Sequence, residues 1–199
     1  MTNEDRRTLR TRAALRAAFV SRVLADGYAG VRVEHIAAAA DVGRATFYTH
    51  FRDKEALYDH VVEVVLGELR ERMAPVDREG VGFTGWPVAE LFRHAAEQPD
   101  VYRLILRGEG DGRGLRALVE AWTEAAHDIF AERARAHRIR PRVDLRVVAR
   151  AWVGEQVSVL LWWLESPAPR PDVEQVVETL VELSRRGRYW ATGFDSISD

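Results

Sequence analysis

The sequence predicts an all-α protein of about nine helices. Apolar residues recur at the three- and four-residue spacing of amphipathic helices, and no segment has the strict alternation of a half-buried strand. Prolines and glycines separate the periodic segments, and proline ends a helix because it lacks the amide proton and clashes with the preceding turn. With 199 residues, 47% of them apolar, the chain is long enough to bury a substantial core.

The first part of the chain is predicted to form four helices, at about residues 6–25, 33–40, 44–51 and 53–73. Asp41, Val42 and Gly43 make a short break between the second and third helices. Asp53 is a suitable N-cap for the fourth helix, since its carboxylate can accept hydrogen bonds from first-turn amides. The segment therefore contains two short helices joined by a tight turn and followed by a long one.

The second part of the chain is predicted to form five further helices, at about residues 87–98, 100–107, 115–136, 143–164 and 173–186. Pro99, Pro141 and the proline-rich segment 166–171 are strong stop signals between them. The glycine-rich segment 108–114 follows a helix and not a strand, so we interpret it as a flexible connection and not as a phosphate-binding loop.

Several classes of function are disfavoured by what the sequence lacks. The polar N-terminus is not a secretory signal, and the longest apolar run, residues 157–164, is far shorter than the ~18 residues of a membrane span. We therefore expect a cytoplasmic protein with no membrane partner. The sequence has no cysteine, no His-Glu-x-x-His or Gly-x-Ser-x-Gly motif, and only one lysine, Lys54. We expect no enzyme activity, no metal site and no cofactor.

The third predicted helix divides into two faces. Phe47 and Phe51 are four residues apart and share the inward face, where aromatic side chains are more often core than binding surface. Arg44 and Tyr48 share another face, and Ala45 and Thr49 lie between them, outward. That outer face offers a guanidinium, a methyl group, a hydroxyl and a phenol, which suit base edges and phosphate oxygens in a DNA major groove.

Four segments carry a recognisable pattern: residues 27–28 (GY), 33–42 (VEHIAAAADV), 46–51 (TFYTHF) and 54–57 (KEAL). Over about residues 8–58 the chain resembles the N-terminal domain of TetR-family (TetR/AcrR-like) transcriptional regulators. The resemblance implies that Tyr48 and Lys54 touch DNA phosphates, while Arg44, Ala45 and Thr49 read the bases. His50 is interpreted either as structural or as a weak phosphate contact. The candidate DNA-binding residues are Arg44, Ala45, Thr46, Tyr48, Thr49, His50 and Lys54.

Three residues depart from the pattern that is common in this family. The position of Arg32 is commonly threonine or serine, which cap the second helix as arginine cannot. The turn position of Asp41 is commonly glycine, which adopts a left-handed conformation more easily than aspartate. The position of Gly43 is commonly serine, so the third helix loses a side-chain cap here.

The resemblance also implies a larger helical domain for ligand binding and dimerisation. We expect a helix-turn-helix domain over residues 1–55 and the second domain over residues 56–199. The helix predicted at 143–164 is apolar over more than half its circumference, more than one chain's core needs, which favours a homodimer formed through the last two long helices.

The tryptophans and a few polar residues of the second domain are candidates for a ligand pocket. All six tryptophans lie beyond residue 60, and a few polar residues stand out within the apolar helices there. These polar residues either face solvent or the dimer seam, or they orient a ligand in an aromatic-lined cavity. A carboxylate among tryptophans would suit an aromatic or cationic effector. The candidate ligand-binding residues are Phe92, Tyr102, Arg103, Trp122, His127, Trp152, Glu155 and Gln156.

The sequence thus predicts a DNA-binding transcriptional regulator. We expect it to bind a palindromic operator of double-stranded DNA as a homodimer and to act as a repressor that a small-molecule effector releases. The alternatives are a transcriptional activator of the same family, or a helical protein-interaction module without a small ligand.

Overall fold

The computed structural model describes residues 3–78 and 85–188, and in these residues all the regular structure is helical. The all-α prediction is confirmed, and the observed boundaries lie within about three residues of the predicted ones. A 3₁₀ turn at Tyr28–Gly30 follows the first helix, and a π-helical turn at Ser184–Arg188 continues the last one. The α-helices are α1 Asn3–Asp26, α2 Val33–Ala39, α3 Arg44–His50, α4 Lys54–Met73, α5 Trp86–Glu97, α6 Pro99–Leu106, α7 Arg113–Ala136, α8 Leu145–Glu165 and α9 Val173–Leu183.

The chain packs as two compact units that are not continuous in sequence. The first unit contains the described residues up to Gly67 together with Pro99–Arg116, and the second contains the described residues of Glu68–Gln98 and of the chain from Ala117 onward. Helices α4 and α7 each contribute one end to the first unit and the other end to the second. The chain therefore passes between the units within α4, between α5 and α6, and within α7.

The core of the first unit forms beneath α2 and α3. Phe19 of α1, Ile36 of α2 and Phe47 of α3 are completely buried, and Phe51 is 6% exposed. Because helices as short as α2 and α3 are marginally stable alone, this burial holds them in place. The prediction that Phe47 and Phe51 face inward is confirmed.

The glycine-rich segment 108–114 packs specifically within the first unit. Gly110 has a φ of 62° and lies against Tyr58, and Gly114 lies against the same ring. The Glu109 carboxylate accepts a hydrogen bond from the Tyr28 amide at 3.0 Å. The sequence indicated only a flexible connection here. In the structure the segment forms tight turns, and because its glycines have no side chain, the buried Tyr58 ring fits against them.

The second unit is built from α5, α8 and α9 with most of α7. Phe92 of α5 is fully buried and meets Trp163 of α8 edge-on, with their ring centroids 5.7 Å apart. Val153 and Leu160 of α8 are also fully buried, and Leu180 of α9 is 2% exposed. One face of each of these helices is therefore committed to the core of a single chain.

Membrane insertion finds no support among the described helices. None of them combines enough length with enough apolar character to cross a bilayer.

Candidate functional site

The turn between α2 and α3 contains a left-handed residue and is closed by two backbone hydrogen bonds. Asp41 adopts a left-handed conformation with a φ of 53°, and its amide donates to Ala38 O at 3.2 Å. The next amide, that of Val42, donates to Ala37 O at 3.0 Å. These bonds satisfy the last carbonyl groups of α2, as in other helices that end in a left-handed residue. Aspartate therefore occupies a conformation that glycine adopts with less strain.

The helix starts on either side of this turn lack ordinary side-chain caps. Neither Arg32 nor Gly43 forms a cap bond through its side chain. His35 partly compensates at α2, because its Nδ1 accepts a hydrogen bond from the Arg32 amide at 3.3 Å. By contrast, α4 is capped as predicted, since Asp53 Oδ1 accepts from the Ala56 amide at 2.7 Å. His35 is a supporting residue that the sequence analysis missed.

The outer face of α3 is exposed, as its helical spacing predicts. Tyr48 is 50% exposed, and its ring is held edge-on against the buried Phe47, with the centroids 5.5 Å apart. Arg44 is exposed and lies 3.8 Å from a Glu34 carboxylate oxygen, an ion pair weak enough for another anion to displace. Ala45, Thr46 and Thr49 are exposed on the same short helix. The helix thus presents a phenol, a guanidinium and small polar groups on a rigid support.

Local contacts limit the hydrogen bonds that Thr49 and His50 can offer to DNA. The Thr49 hydroxyl donates to Ala45 O at 3.0 Å, so its oxygen remains available mainly as an acceptor. His50 is half-buried, and burial, helped by the charge of Arg12, lowers its pKa below the usual 6.5. The lowered pKa disfavours the charged imidazolium, so a weak phosphate contact by His50 would use the N–H of a neutral ring.

Lys54 has a structural role that the sequence did not indicate. Its Nζ donates to Tyr28 O at 2.7 Å and to Val31 O at 3.0 Å, and it lies 4.2 Å from the centroid of the Tyr28 ring. The Tyr28 hydroxyl in turn donates to Glu55 at 3.0 Å, and burial raises the Tyr28 pKa well above its usual value. Lys54 thus fixes the segment between α1 and α2, and one of its three N–H groups remains for a phosphate oxygen.

The second unit contains two adjoining cavities. The larger has a volume of about 570 Å³ and the smaller about 70 Å³. Both are lined by Val76, Pro87, Ala126, Ile129 and Trp152, so they share a wall. The larger one also reaches Phe130 and Arg133, and the smaller one reaches Trp122 and Gln156.

Three of the eight candidate ligand residues line these cavities: Trp122, Trp152 and Gln156. Phe92 lies in the core against Trp163, and His127 lies beside Asp128, with His127 Nδ1 3.5 Å from Asp128 Oδ1. Tyr102 and Arg103 belong to the first unit, where Tyr102 is fully buried and Arg103 pairs with Asp100 at 2.7 Å. Glu155 is not among the described lining residues, and Trp190 lies outside the described part of the chain.

Two of the three candidate residues that line the cavities have buried polar atoms without a hydrogen-bond partner in the described part of the chain. These atoms are Nε1 of Trp152 and both Nε2 and Oε1 of Gln156, a residue that is 1% exposed. An unsatisfied buried polar group costs about 1–3 kcal/mol. Such groups are uncommon in native cores, so these three need a chemical reason.

The two short helices, their left-handed turn and the exposed face of α3 define a helix-turn-helix protein of the DNA-binding class. The model of the family described as "Bacterial regulatory proteins, tetR family" matches residues 21–61. The helix-turn-helix segment of this chain is therefore similar to the DNA-binding segment of TetR-family regulators. Similarity to transcriptional regulators also agrees with the expectation of a regulator that is not an enzyme.

Individual relatives agree with this assignment. An uncharacterised HTH-type transcriptional regulator of Bacillus subtilis (strain 168), YxbF, is 38% identical over 71 residues, which are 35% of this chain and only 18% of that protein. The structure is similar to that of NalD, the secondary repressor of the MexAB-OprM multidrug efflux pump in Pseudomonas aeruginosa. That match has a TM-score of 0.69 and 23% identity and covers 89% of this chain and 95% of that one.

A second solved structure extends the similarity in fold. The fatty acid degradation regulator FadR from Bacillus halodurans matches with a TM-score of 0.69 and 18% identity, over 86% of this chain and 93% of that one. Identities this low establish a shared fold only, so effectors and target genes do not carry over from these proteins.

Proposed function

We propose that this chain is a ligand-responsive transcriptional repressor that binds a palindromic operator as a homodimer. The exposed outer face of α3 carries the proposal, because its side chains suit a major groove and its inner face is fixed by the buried Phe47. DNA contacts are assigned to residues 1–55, and ligand binding and dimerisation to residues 56–199. Such a regulator acts in the cytoplasm of a bacterium.

The proposed contacts divide by what they recognise. Tyr48 and the remaining N–H of Lys54 would bind phosphate oxygens and fix the position of α3 in the groove. Arg44, Ala45 and Thr49 would meet base edges. Replacing Tyr48 with phenylalanine should therefore weaken binding about equally on all sequences. Replacing Ala45 or Thr49 should change which sequence is preferred.

A second copy of the chain is the proposed occupant of the exposed face of α8. Val147 is 66% exposed and Trp162 is 56% exposed, although both are apolar. Ala151, Gly154 and Ser158 are exposed between them at three- and four-residue spacing, so the five residues form one stripe along the helix. Two copies of this stripe can pack across a two-fold axis, which would present two α3 helices to half-sites about 34 Å apart.

Gly154 allows a direct test of this interface. A Cβ atom added there would meet no atom within 4 Å in the single chain, and the same is true of Gly67 in α4. Gly154→Arg should therefore convert the dimer to a folded monomer, while Gly67→Arg should leave the dimer intact. Sedimentation velocity distinguishes the two states, and a Gly154→Arg variant that remains dimeric would rule out the stripe as the interface.

The effector is proposed to bind in the cavities of the second unit. A ligand can release DNA only if it binds the DNA-free state more tightly, and the coupling is reciprocal, so operator DNA must weaken ligand binding equally. Repression is proposed over activation because NalD, the secondary repressor of the MexAB-OprM efflux pump, has a similar fold.

Operator selection from random DNA, followed by footprinting on the region upstream of the chain's own gene, tests the proposal. We expect specific affinity on the order of 10⁻⁸ M or tighter, weakening steeply as salt is raised. Transcription from the selected site in a purified system then separates repression from activation. Failure to select any sequence would contradict the proposal and favour a helical protein-interaction module.

A further inference from the structure

The smaller cavity of the second unit combines apolar walls with polar atoms that have no partner. Gln156 lines it, is 1% exposed, and has neither a donor for its Oε1 nor an acceptor for its Nε2 in the described part of the chain. Trp152 also lines it, and its indole Nε1 is buried without an acceptor. The two residues are four apart on α8 and so lie on one face of the helix.

The packing of α8 gives no reason for an amide at this position. Ala149, Val153, Gln156 and Leu160 form the buried stripe of the helix, and glutamine is its one polar member. Leucine fills a similar volume, and exchanging an unpaired buried polar group for an apolar one of that shape is neutral or stabilising. The amide is therefore better explained by a molecule that enters the cavity than by the stability of the empty protein.

The described residues that line this cavity also restrict the charge of its occupant. Apart from Gln156 they are apolar, and none of them is ionisable; they are Met73, Val76, Pro87, Val88, Leu91, Trp122, Ala125, Ala126, Ile129 and Trp152. A charged group placed among them would lose its hydration without gaining an opposite charge. The carboxylate of Glu155, on which a cationic effector would depend, is not among the described lining residues.

We propose that the effector is a mainly apolar molecule that places an uncharged carboxamide or lactam group in the smaller cavity, where it pairs with Gln156. The ligand's N–H donates to Oε1, and its carbonyl oxygen accepts from Nε2, which matches the two unpaired atoms with one planar group. The indole N–H of Trp152 supplies a second donor for an acceptor on the ligand. The apolar body extends into the adjoining cavity of about 570 Å³. This inference rests on the proposed function, in which these cavities hold the effector.

Three probes of nearly equal shape separate the contributions of the carboxamide's N–H donor, its carbonyl acceptor and its lack of charge. The probes are 2-naphthamide, the methyl ketone 2-acetonaphthone and the anion 2-naphthoate, titrated by isothermal calorimetry. The amide should bind about tenfold more tightly than the ketone, which keeps the acceptor but lacks the donor. Naphthoate should bind more weakly than both when its carboxylate takes the place of the amide, because its charge has no partner among the described residues of the smaller cavity.

Variants of Gln156 test whether this preference arises where we place it. Gln156→Leu should bind amide and ketone equally, and without ligand its melting temperature should be unchanged or higher. Gln175→Leu, at an exposed glutamine of α9, should keep the full preference. Trp152→Phe removes the indole N–H and part of the ring surface, and both losses affect amide and ketone alike, so their ratio should stay unchanged.

Several results would overturn the inference. Equal binding of amide and ketone by the unaltered protein, no binding of either, or a preference that survives in Gln156→Leu would each do so. A lower melting temperature for Gln156→Leu would also overturn it, because interior water would then already satisfy the amide. Operator binding is measured on the same preparations, so that failure of the effector inference can be distinguished from failure of the proposed function. A protein that binds operator without discriminating the probes loses only this inference, whereas one that discriminates the probes but binds no DNA contradicts the proposed function.

Discussion

Gly114→Ala is expected to destabilise the first unit because a methyl group there has no space. The added Cβ would overlap Tyr58 Oη and would lie 2.9 Å from its Cζ and 3.1 Å from Val62 Cγ2. Tyr58 is completely buried, so its ring cannot move into solvent. Overpacking costs about 1–3 kcal/mol, and alanine recovers up to about 1 kcal/mol through its better helix propensity. The net loss in unfolding free energy should be about 1–2 kcal/mol.

Urea denaturation followed by far-ultraviolet circular dichroism measures this loss. Gly67→Ala is the matched control, because a Cβ there meets no atom within 4 Å and the substitution should raise stability through helix propensity alone. Combining Gly114→Ala with Tyr58→Phe should recover part of the loss, since the hydroxyl that overlaps the methyl is then removed. If Gly114→Ala is as stable as the unaltered protein, the close packing of this segment on Tyr58 is refuted.

Three other predictions concern the helix-turn-helix segment. Asp41→Gly should raise the unfolding free energy by about 0.5–1 kcal/mol and Asp41→Ala should lower it, because only glycine relieves the left-handed φ; urea titration giving the same sign for both would contradict this. Lys54→Ala should lower stability by about 1–3 kcal/mol, whereas Tyr48→Phe should weaken DNA binding with no change in melting temperature. Burial is the main cause of the lowered pKa values of His50 and His60 in the folded chain. From about pH 6.5, the ordinary histidine pKa, downward, the unfolded chain therefore binds more protons than the folded chain. Melting temperature should therefore fall as pH drops from neutral through that value, and His50→Gln should reduce the dependence.

Local features of the sequence predicted the helices and the two faces of α3 well. Spacing alone separates Phe47 from Tyr48, and Asp53 caps α4 through a bond to a residue only three positions away. Tyr102 and Arg103 show where this reasoning stops. They lie on an amphipathic helix whose pattern gives no information about its partner, and in the structure that helix belongs to the first unit. Pairing between distant helices depends on the three-dimensional fit of whole surfaces, which no local pattern contains.

The structural bonds of Lys54 and the lack of hydrogen-bond partners for Gln156 were not evident from the sequence, for related reasons. The carbonyl groups that hold Lys54 belong to a turn 23 and 26 residues earlier, and backbone acceptors leave no mark on a sequence. Gln156 resembles any polar residue of a long helix until its neighbours are known. Its lack of a partner emerges only from the complete set of contacts around it.

The discontinuous first unit has a consequence for protein engineering. A chimera that joins one DNA-binding unit to another sensor at a single point requires a DNA-binding unit that is continuous in sequence. Here a cut at residue 67 would separate the DNA-binding segment from Glu109, Gly110 and Gly114. That segment would thus lose the carboxylate that accepts from the Tyr28 amide and the backbone that packs against Tyr58. A transplantable DNA-binding unit for this protein would have to include Pro99–Arg116, so it is better grafted as two segments than as one.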